Sequence, residues 1–140
     1  MDKEKFIETV EGFRNNDNFL YGSNFELSDR NIKLDCLGFV IAVYETINSK
    51  ILIPRFSMSN VELKEIIPES FNKAVVGDVI LFFIKGRNEK RGYQRSYHHL
   101  ALKYSNTEIA HMGKKGDSVR IESFEKYKNK ENMITQTSLS

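Results

Sequence analysis

The sequence contains very little cysteine and proline and no tryptophan. Its 140 residues include one Cys, two Pro and no Trp. One cysteine cannot form a disulfide within the chain, and structural zinc sites usually recruit paired cysteines at short spacing. The fold must therefore depend on a hydrophobic core, which a chain of this length with 40% hydrophobic residues can bury.

The sequence also lacks long apolar runs and a strong charge of either sign. No segment approaches about 20 consecutive apolar residues, and the first residues, MDKEKFIETV, contain no apolar stretch that could act as a signal peptide. The formal net charge is only +2. We therefore expect a soluble chain that neither inserts into membranes nor binds nucleic acid.

Hydrophobic spacing predicts helices in the first half of the chain. Phe6, Val10 and Phe13 recur at helical spacing, whereas residues 15–33 are polar and rich in turn formers, which predicts a long loop. The helices are predicted over residues 2–14, over Asp35–Ile47, which is apolar nearly all round, and over a short segment after Ser59.

The second half of the chain favours strands. Short β-rich segments separated by Asn, Gly and Asp cover Val79–Ile84, Tyr97–Tyr104, Thr107–His111 and Val119–Ile121, and a basic turn covers residues 85–95. The last residues, 126–140, are weakly patterned. Helices followed by hairpin-connected strands predict an α+β fold in which helices pack on an antiparallel sheet. No linker or repeat divides the chain, which predicts a single domain over residues 1–140.

Cys36 lies where the polar loop gives way to the predicted buried helix. The positive end of the helix dipole favours thiolate, the form of cysteine that attacks carbonyl carbons. A single cysteine in an apolar helix is more often a small buried hydrophobe. Cys36 therefore becomes a candidate nucleophile only if a base lies near it.

All three histidines of the chain, His98, His99 and His111, lie in the strand-rich half. Successive residues of a strand point to opposite faces, so only one of His98 and His99 can face the helix. If the chain turns at residues 105–106, the strands that carry His99 and His111 are antiparallel neighbours, and both histidines can share a face. A cysteine, a base and a polar group that orients the base form an activated nucleophile.

Five short motifs in this order resemble the NlpC-type peptidase domain. They are a Tyr-Gly loop, an Asp-Cys helix start, a Gly-Asp strand entry, a His strand and a second His: Tyr21-Gly22-Ser23, Asp35-Cys36-Leu37-Gly38-Phe39-Val40, Val76-Gly77-Asp78-Val79-Ile80-Leu81-Phe82-Phe83, His99-Leu100-Ala101-Leu102 and Ile109-Ala110-His111. Each motif alone is common, but their order and rough spacing agree with the family over about residues 18–125.

The resemblance implies a papain-like α+β core that hydrolyses an amide, usually in bacterial peptidoglycan peptides. Carried over by position, Cys36 is the expected nucleophile, His99 the general base and His111 the residue that orients it. The resemblance implies no metal or other cofactor.

The same resemblance implies a substrate-binding role for three residues near the nucleophile. Tyr21 is the expected loop tyrosine beside the thiol, and Asp35 the acid that helps to hold the substrate's free amine. Leu37 replaces the serine that is usual in the family near the substrate's amino end, and Ala101 stands near the usual glycine of the His strand. The Leu37 departure bears on substrate choice rather than on the chemistry.

Three other functions fit the same residues. A papain-like amidase or acyltransferase acting on a protein would use the same triad. Cys36, His99 and His111 are also acceptable zinc ligands, with His98 or Asp35 as a fourth. A non-catalytic wall-binding or phage-tail module would keep only the fold.

The resemblance also bears on where the protein acts. A cell-wall hydrolase without a signal peptide would act at the wall or in the periplasm after delivery, or as part of a longer protein, and otherwise in the cytoplasm. A delivered antibacterial toxin would additionally bind an immunity or inhibitor protein.

Overall fold

The computed structural model describes residues 2–27, 29–48, 71–84, 99–128 and 133–139. A short 3₁₀ turn, Phe71–Lys73, precedes the third strand. The helices and strands are α1 (Lys3–Arg14), β1 (Asn24–Leu27), β2 (Arg30–Lys33), α2 (Cys36–Asn48), β3 (Val79–Ile84), β4 (His99–Lys103), β5 (Glu108–His111), β6 (Arg120–Ser123), α3 (Phe124–Lys128) and β7 (Met133–Leu139).

The centre of the fold is a five-stranded antiparallel sheet in the order β6-β5-β4-β3-β7. Helix α2, which begins at Cys36, packs against β4. The α+β class and the packing of the helix that begins at Cys36 on an antiparallel sheet, both predicted from the sequence, are confirmed. Strand β3 has the bounds expected from its apolar run, Val79–Ile84.

Alternation along the strands divides the buried residues into two clusters, one on each face of the sheet. Leu100, Leu102 and Ala110 belong to the cluster that contains α2. Ala101 lies between Leu100 and Leu102 in sequence, and Ile109 precedes Ala110. Both belong to a second cluster with Phe71, Phe124 and Tyr127. Both faces are therefore covered, which explains why the central strands read as nearly continuous apolar runs.

Four phenylalanines join the N-terminal elements to α2. The rings of Phe13 and Phe19 stack with centroids 4.3 Å apart, and Phe19 also makes edge contacts with Phe25 at 5.0 Å and Phe39 at 6.3 Å. Aromatic pairs of this geometry contribute roughly 0.5–1.5 kcal/mol each beyond the area that they bury. The cluster holds the polar segment after α1 in place next to the start of α2.

The prediction of an uninterrupted loop over residues 15–33 is wrong, because β1 and β2 form a hairpin there. Phe25 pairs with Ile32, and Asp29 in the turn has a positive φ of 65°, a conformation that Asp tolerates better than most residues. The weakly patterned C-terminal segment likewise contains a helix, α3, and a strand, β7, which pairs with β3. The predicted helix after Ser59 and the basic turn 85–95 lie outside the described residues.

The Gly-Asp motif at residues 77–78 joins the sheet to the preceding turn. The carboxylate of Asp78 accepts a hydrogen bond from the amide of Val75 at 3.0 Å, and the Tyr44 hydroxyl of α2 donates to the carbonyl of Gly77 at 2.6 Å. Gly77 has a φ of 99°, which a residue with a side chain adopts only under strain. The motif is therefore a structural junction that sets β3 against α2.

Candidate active site

Asp35 caps the helix that begins at Cys36. Its Oδ1 atom accepts a hydrogen bond from the amide of Gly38 at 2.7 Å, and its carbonyl accepts one from the amide of Phe39 at 3.0 Å. An aspartate at this position stabilises a helix N-terminus by roughly 1 kcal/mol and fixes where the helix starts. The cap places the partly exposed Cys36 at the positive end of the α2 dipole. Leu37, the next residue, points into the core and is 7% exposed.

The Tyr21 loop lies between the start of α2 and the turn that follows β5. The amide of Gly22 donates to the carbonyl of Leu34 at 2.7 Å. On the other side, the amide of Tyr21 donates to the carbonyl of Asp117 at 2.9 Å, and its carbonyl accepts from the amide of Gly116 at 2.9 Å. These backbone bonds fix the loop to both halves of the chain.

The tyrosine side chain lies close enough to the start of α2 to be affected by the charges there. Burial raises the pKa of the Tyr21 hydroxyl, and negative charge at Cys36 and Asp35 raises it further. Tyr21 is therefore a neutral phenol at physiological pH, beside the thiol and the capping carboxylate. The structure thus brings together three of the residues that the sequence proposed: Tyr21, Asp35 and Cys36.

His99 and His111 form a direct hydrogen bond. Nε2 of His99 lies 2.8 Å from Nδ1 of His111, and the ring centroids are 5.0 Å apart in an edge-to-face arrangement. Strands β4 and β5 are antiparallel, with Leu102 opposite Ala110. The predicted turn and the shared sheet face of the two histidines are confirmed.

The shared face is the one opposite α2. His99 alternates with Leu100 and so lies on the face of Ala101, which belongs to the second cluster. Its ring is 5.8 Å from that of Phe82 on the same face. His99 is, however, the first residue of β4, so its ring stands at the end of the strand. Gly113 lies against it there, where a Cβ atom would be 3.6 Å from Cε1 of His99.

A third polar residue, Glu122 on β6, continues the row that begins with His99 and His111. Its Oε1 atom lies 2.8 Å from Nε2 of His111, and the hydroxyl of Tyr127 donates to the same oxygen at 2.7 Å. Lys126 donates to the other oxygen, Oε2. The pairing of β5 with β6 sets Glu122 opposite Ile109, two residues before His111, so the contact crosses the sheet diagonally.

Burial and hydrogen bonding set opposite protonation preferences on the two partners. Burial alone would raise the pKa of Glu122, but hydrogen bonds from Lys126, Tyr127 and His111 lower it to about 2. Burial lowers the pKa of His111, and this effect exceeds the opposing effect of Glu122. At neutral pH the pair is therefore a carboxylate and a neutral imidazole.

Sequence reasoning missed Glu122 because no motif marks it. The signal that was available is strand alternation. Arg120 lies opposite His111, so Glu122, two residues further along the same strand, lies on the same sheet face as His111. His98, which was named only as a possible fourth zinc ligand, lies outside the described residues. In the described part of the chain, no group of three or more His, Cys, Asp or Glu side chains could hold a metal ion. Nor, within those residues, does any helix have the length and apolar character needed to cross a bilayer.

Comparison with solved structures identifies the fold. The chain superposes on the NlpC/p60 domain of the peptidoglycan hydrolase SagA with a TM-score of 0.58 and 15% identity, covering 99% of this chain and 100% of that one. It also matches RipD from Mycobacterium tuberculosis, described as a non-catalytic NlpC/p60 domain protein adapted to peptidoglycan binding, with a TM-score of 0.51, 13% identity and 96% of each chain covered.

The sequence itself gives no such match: no protein-family model and no curated protein matches it. The resemblance first indicated by five short motifs is therefore confirmed by structure, and the chain has the NlpC/p60 fold. One of the two similar structures belongs to a hydrolase and the other to a non-catalytic protein. The fold alone does not distinguish a hydrolase from a non-catalytic protein, so the distinction must come from the side chains of the site.

Proposed function

We propose that this protein is a cysteine peptidase or amidase that hydrolyses an amide bond in peptidoglycan stem peptides. The observation that carries the proposal is the hydrogen bond between His99 and His111 at the strand ends. The loop of Tyr21 links this region to the helix that begins with Cys36. A non-catalytic binding module has no need of a thiol at a helix N-terminus and an oriented imidazole.

We infer that the proposed nucleophile, Cys36, and the proposed base, His99, meet around the end of β4. His99 lies on the sheet face opposite the one on which α2 packs, so in our proposal its contact with Cys36 runs past the strand end. Gly113 lies against His99 at the strand end, and the Tyr21 loop is bonded to the backbone of Gly116 and Asp117 a few residues further along the same turn. A Cβ atom at Gly113 would be in ordinary van der Waals contact with the ring of His99, at 3.6 Å from Cε1.

The chemistry follows from this arrangement. His99 takes the thiol proton of Cys36, and the sulfur attacks the substrate carbonyl carbon to give a tetrahedral intermediate. Backbone amides in the first turn of α2 stabilise its oxyanion. The carbon–nitrogen bond then breaks, His99 protonates the leaving amine, and a water molecule activated by His99 hydrolyses the thioester.

Substrate recognition is proposed to involve Tyr21 and Asp35. Leu37 is proposed to alter specificity because it lacks the hydroxyl group of the serine that is usual in the family. The Asp35 carboxylate already accepts the Gly38 amide, so it can hold a substrate amine only while it also caps the helix. Leu37 is buried and presents little surface of its own. A site that lacks a polar partner discriminates less sharply in favour of the matching polar group.

Digestion of purified peptidoglycan, followed by mass spectrometry of the released muropeptides, tests the proposal. We expect defined peptide fragments with the wild-type protein and none with Cys36→Ala. A wall-binding module would sediment with peptidoglycan and release nothing, and this result would replace our proposal. A papain-like amidase or acyltransferase acting on proteins would leave peptidoglycan intact and would not sediment with it.

The biological setting is a further part of the proposal. A delivered toxin would degrade the wall of a recipient cell and would be neutralised by a dedicated immunity protein. This setting can be tested by expressing the protein in the periplasm and, separately, in the cytoplasm of a test bacterium. Lysis that requires both periplasmic location and Cys36 would support a wall substrate.

A further inference from the structure

We propose that Glu122 is a positioning residue that fixes the tautomer of His111 and, through it, determines which nitrogen of His99 acts as the base. The inference rests on the function proposed above, which it extends from three residues to four. It follows from the row of contacts that runs from β4 across β5 to β6.

The first step concerns the protonation of Glu122. Its side chain is 10% exposed, and apart from His111 its partners are a donor or a cation: Lys126 on Oε2 and Tyr127 on Oε1, with Nε of Arg120 3.6 Å away. A protonated carboxyl would have to donate to one of these groups. Glu122 is therefore a carboxylate, which only accepts hydrogen bonds.

The second step concerns His111. Because Oε1 of Glu122 can only accept, the proton shared at 2.8 Å belongs to Nε2 of His111. The ring of His111 is buried and neutral at physiological pH, so its other nitrogen, Nδ1, carries a lone pair. Glu122 thus selects one of the two neutral tautomers.

The third step carries the choice to His99. Nδ1 of His111 accepts at 2.8 Å, so Nε2 of His99 must be the donor. In a neutral His99, the lone pair is then on Nδ1, which becomes the nitrogen able to take a proton from a thiol. In the other His111 tautomer, Nδ1 would carry the proton and His99 would have to accept it at Nε2. The orientation of His99 therefore depends on the carboxylate of Glu122, which acts on it through His111. We call this row of three residues the relay.

Tyr127 and Lys126 hold the carboxylate in this position. Both belong to α3, which follows β6 directly and packs over the second face of the sheet. The ring of Tyr127 also contacts that of His111 edge-on, with centroids 5.0 Å apart. Helix α3, which the sequence did not indicate, thus holds Glu122 in place, and Glu122 in turn fixes the tautomer of His111.

A direct test is the tautomer of His111 in the unmodified protein. Nitrogen-15 NMR of histidine-labelled protein distinguishes protonated Nε2 from protonated Nδ1, and with three histidines in the chain the signals can be assigned from single substitutions. We expect His111 to be protonated at Nε2 at pH 7. Protonation at Nδ1 would overturn the proposal without any variant being made.

The second test uses Glu122→Gln, which keeps the shape of the side chain but can donate as well as accept. We expect His111 to populate both tautomers, kcat to fall about 10–100-fold, and KM to stay within about twofold. The rate of Cys36 alkylation by iodoacetamide at pH 7 should fall in parallel. Glu125→Gln, which changes an exposed carboxylate on α3 close to Glu122 in sequence, is the matched control and should change neither rate.

Lys126→Gln separates positioning from general stabilisation of the fold. It removes a partner of Glu122 but leaves the contact between Glu122 and His111, so the tautomer should persist even if the melting temperature falls. If Glu122→Gln lowers only the melting temperature and leaves the alkylation rate, its pH profile and kcat unchanged, Glu122 is merely structural and the inference is wrong.

These readouts keep the inference separate from the proposed function. The His111 tautomer and the alkylation rate require no substrate. If peptidoglycan is not cleaved but alkylation depends on Glu122, the substrate assignment fails and the relay stands. If peptidoglycan is cleaved equally well by Glu122→Gln, the relay fails and the hydrolase stands.

Discussion

Lys103 contacts Phe71 in two ways, through a hydrogen bond from its ammonium group to the Phe71 carbonyl at 2.7 Å and through a cation–π contact 4.4 Å from the ring centroid. The same ammonium group donates to the carbonyl of Ala74 at 2.8 Å. Lys103 is 3% exposed, and burial lowers its pKa while Asp78 opposes that change. A buried lysine therefore holds the 3₁₀ turn before β3 against β4.

Lys103→Met should lower the free energy of unfolding by roughly 2–4 kcal/mol. The substitution leaves two buried carbonyl groups without this donor, and each unsatisfied group costs about 1–3 kcal/mol, offset in part by the easier burial of methionine. Urea denaturation monitored by circular dichroism measures the change. Lys114→Met, at an exposed position, is the control. An unchanged denaturation midpoint for Lys103→Met would show that the turn is held by other contacts.

Cys36 should react as a thiolate at neutral pH. The helix dipole at the Asp35-capped start of α2 favours the anion. Because the chain contains one cysteine, iodoacetamide labelling reports on this residue alone. We expect half-maximal alkylation well below the free-thiol value of about 8.5. A midpoint at or above that value would contradict the assignment of Cys36 as the nucleophile.

The two histidines should differ in how much activity survives their removal. His99→Ala removes the group that transfers the proton, which typically costs about 10²–10⁴-fold in kcat. His111→Ala removes only the group that orients it, so a measurable remainder is expected. Muropeptide release under initial-rate conditions distinguishes the two variants, with His98→Ala as an internal control that should retain full activity. Equal rates for wild type and His99→Ala would refute the proposed base.

Glu122 should make the fold sensitive to acid. Its pKa in the folded protein is about 2, below the ordinary value of 4.5. The unfolded chain therefore binds the proton more readily, so the stabilisation is fully present above pH 4.5 and is lost as the pH falls towards 2. We expect a loss of roughly 2 kcal/mol, since Lys126 is partly screened by solvent.

The measurement is urea denaturation of wild type and Glu122→Gln between pH 2 and pH 7. The glutamine variant does not titrate here, so the difference between the two proteins should shrink as the pH falls. A constant difference over the whole range would mean that Glu122 is not held as a low-pKa carboxylate.

Leu37→Ser tests both the packing and the specificity of the site. Leu37 is buried, so losing its side chain should cost about 2–4 kcal/mol of stability. The restored hydroxyl should also raise kcat/KM for muropeptides with a free amino end relative to those with a blocked one. Leu37→Ala creates the same cavity without the hydroxyl and is the matched control. If both variants show the same preference as wild type, Leu37 does not influence substrate choice.

The sequence predicted the elements whose residues carry a periodic apolar signal. Phe6, Val10 and Phe13 predicted α1, which the structure has over Lys3–Arg14. The run at residues 79–84 predicted β3 correctly because both of its faces are covered and nothing polar interrupts it. Local pattern and tertiary environment agree in these segments.

The elements that were missed depend on partners distant in sequence. The β1–β2 hairpin has only a few apolar residues, such as Phe25 and Ile32, among polar neighbours that by themselves favour a loop. Strand β7 is formed by backbone pairing with β3. Glu122 likewise becomes part of the site only through the register of β5 with β6. Such register is a property of the assembled sheet, which no local window of sequence contains.

The division of the candidate site between the two faces of the sheet has a consequence for how the protein matures. Cys36 is made early in synthesis, whereas His99, His111 and Glu122 all come from the later, strand-forming part of the chain. Contacts between such distant segments form late, because closing long loops must precede any gain from them. A nascent or proteolytically shortened chain that ends before β5 would contain the thiol without an oriented imidazole, and so would lack the arrangement that the proposed hydrolysis requires.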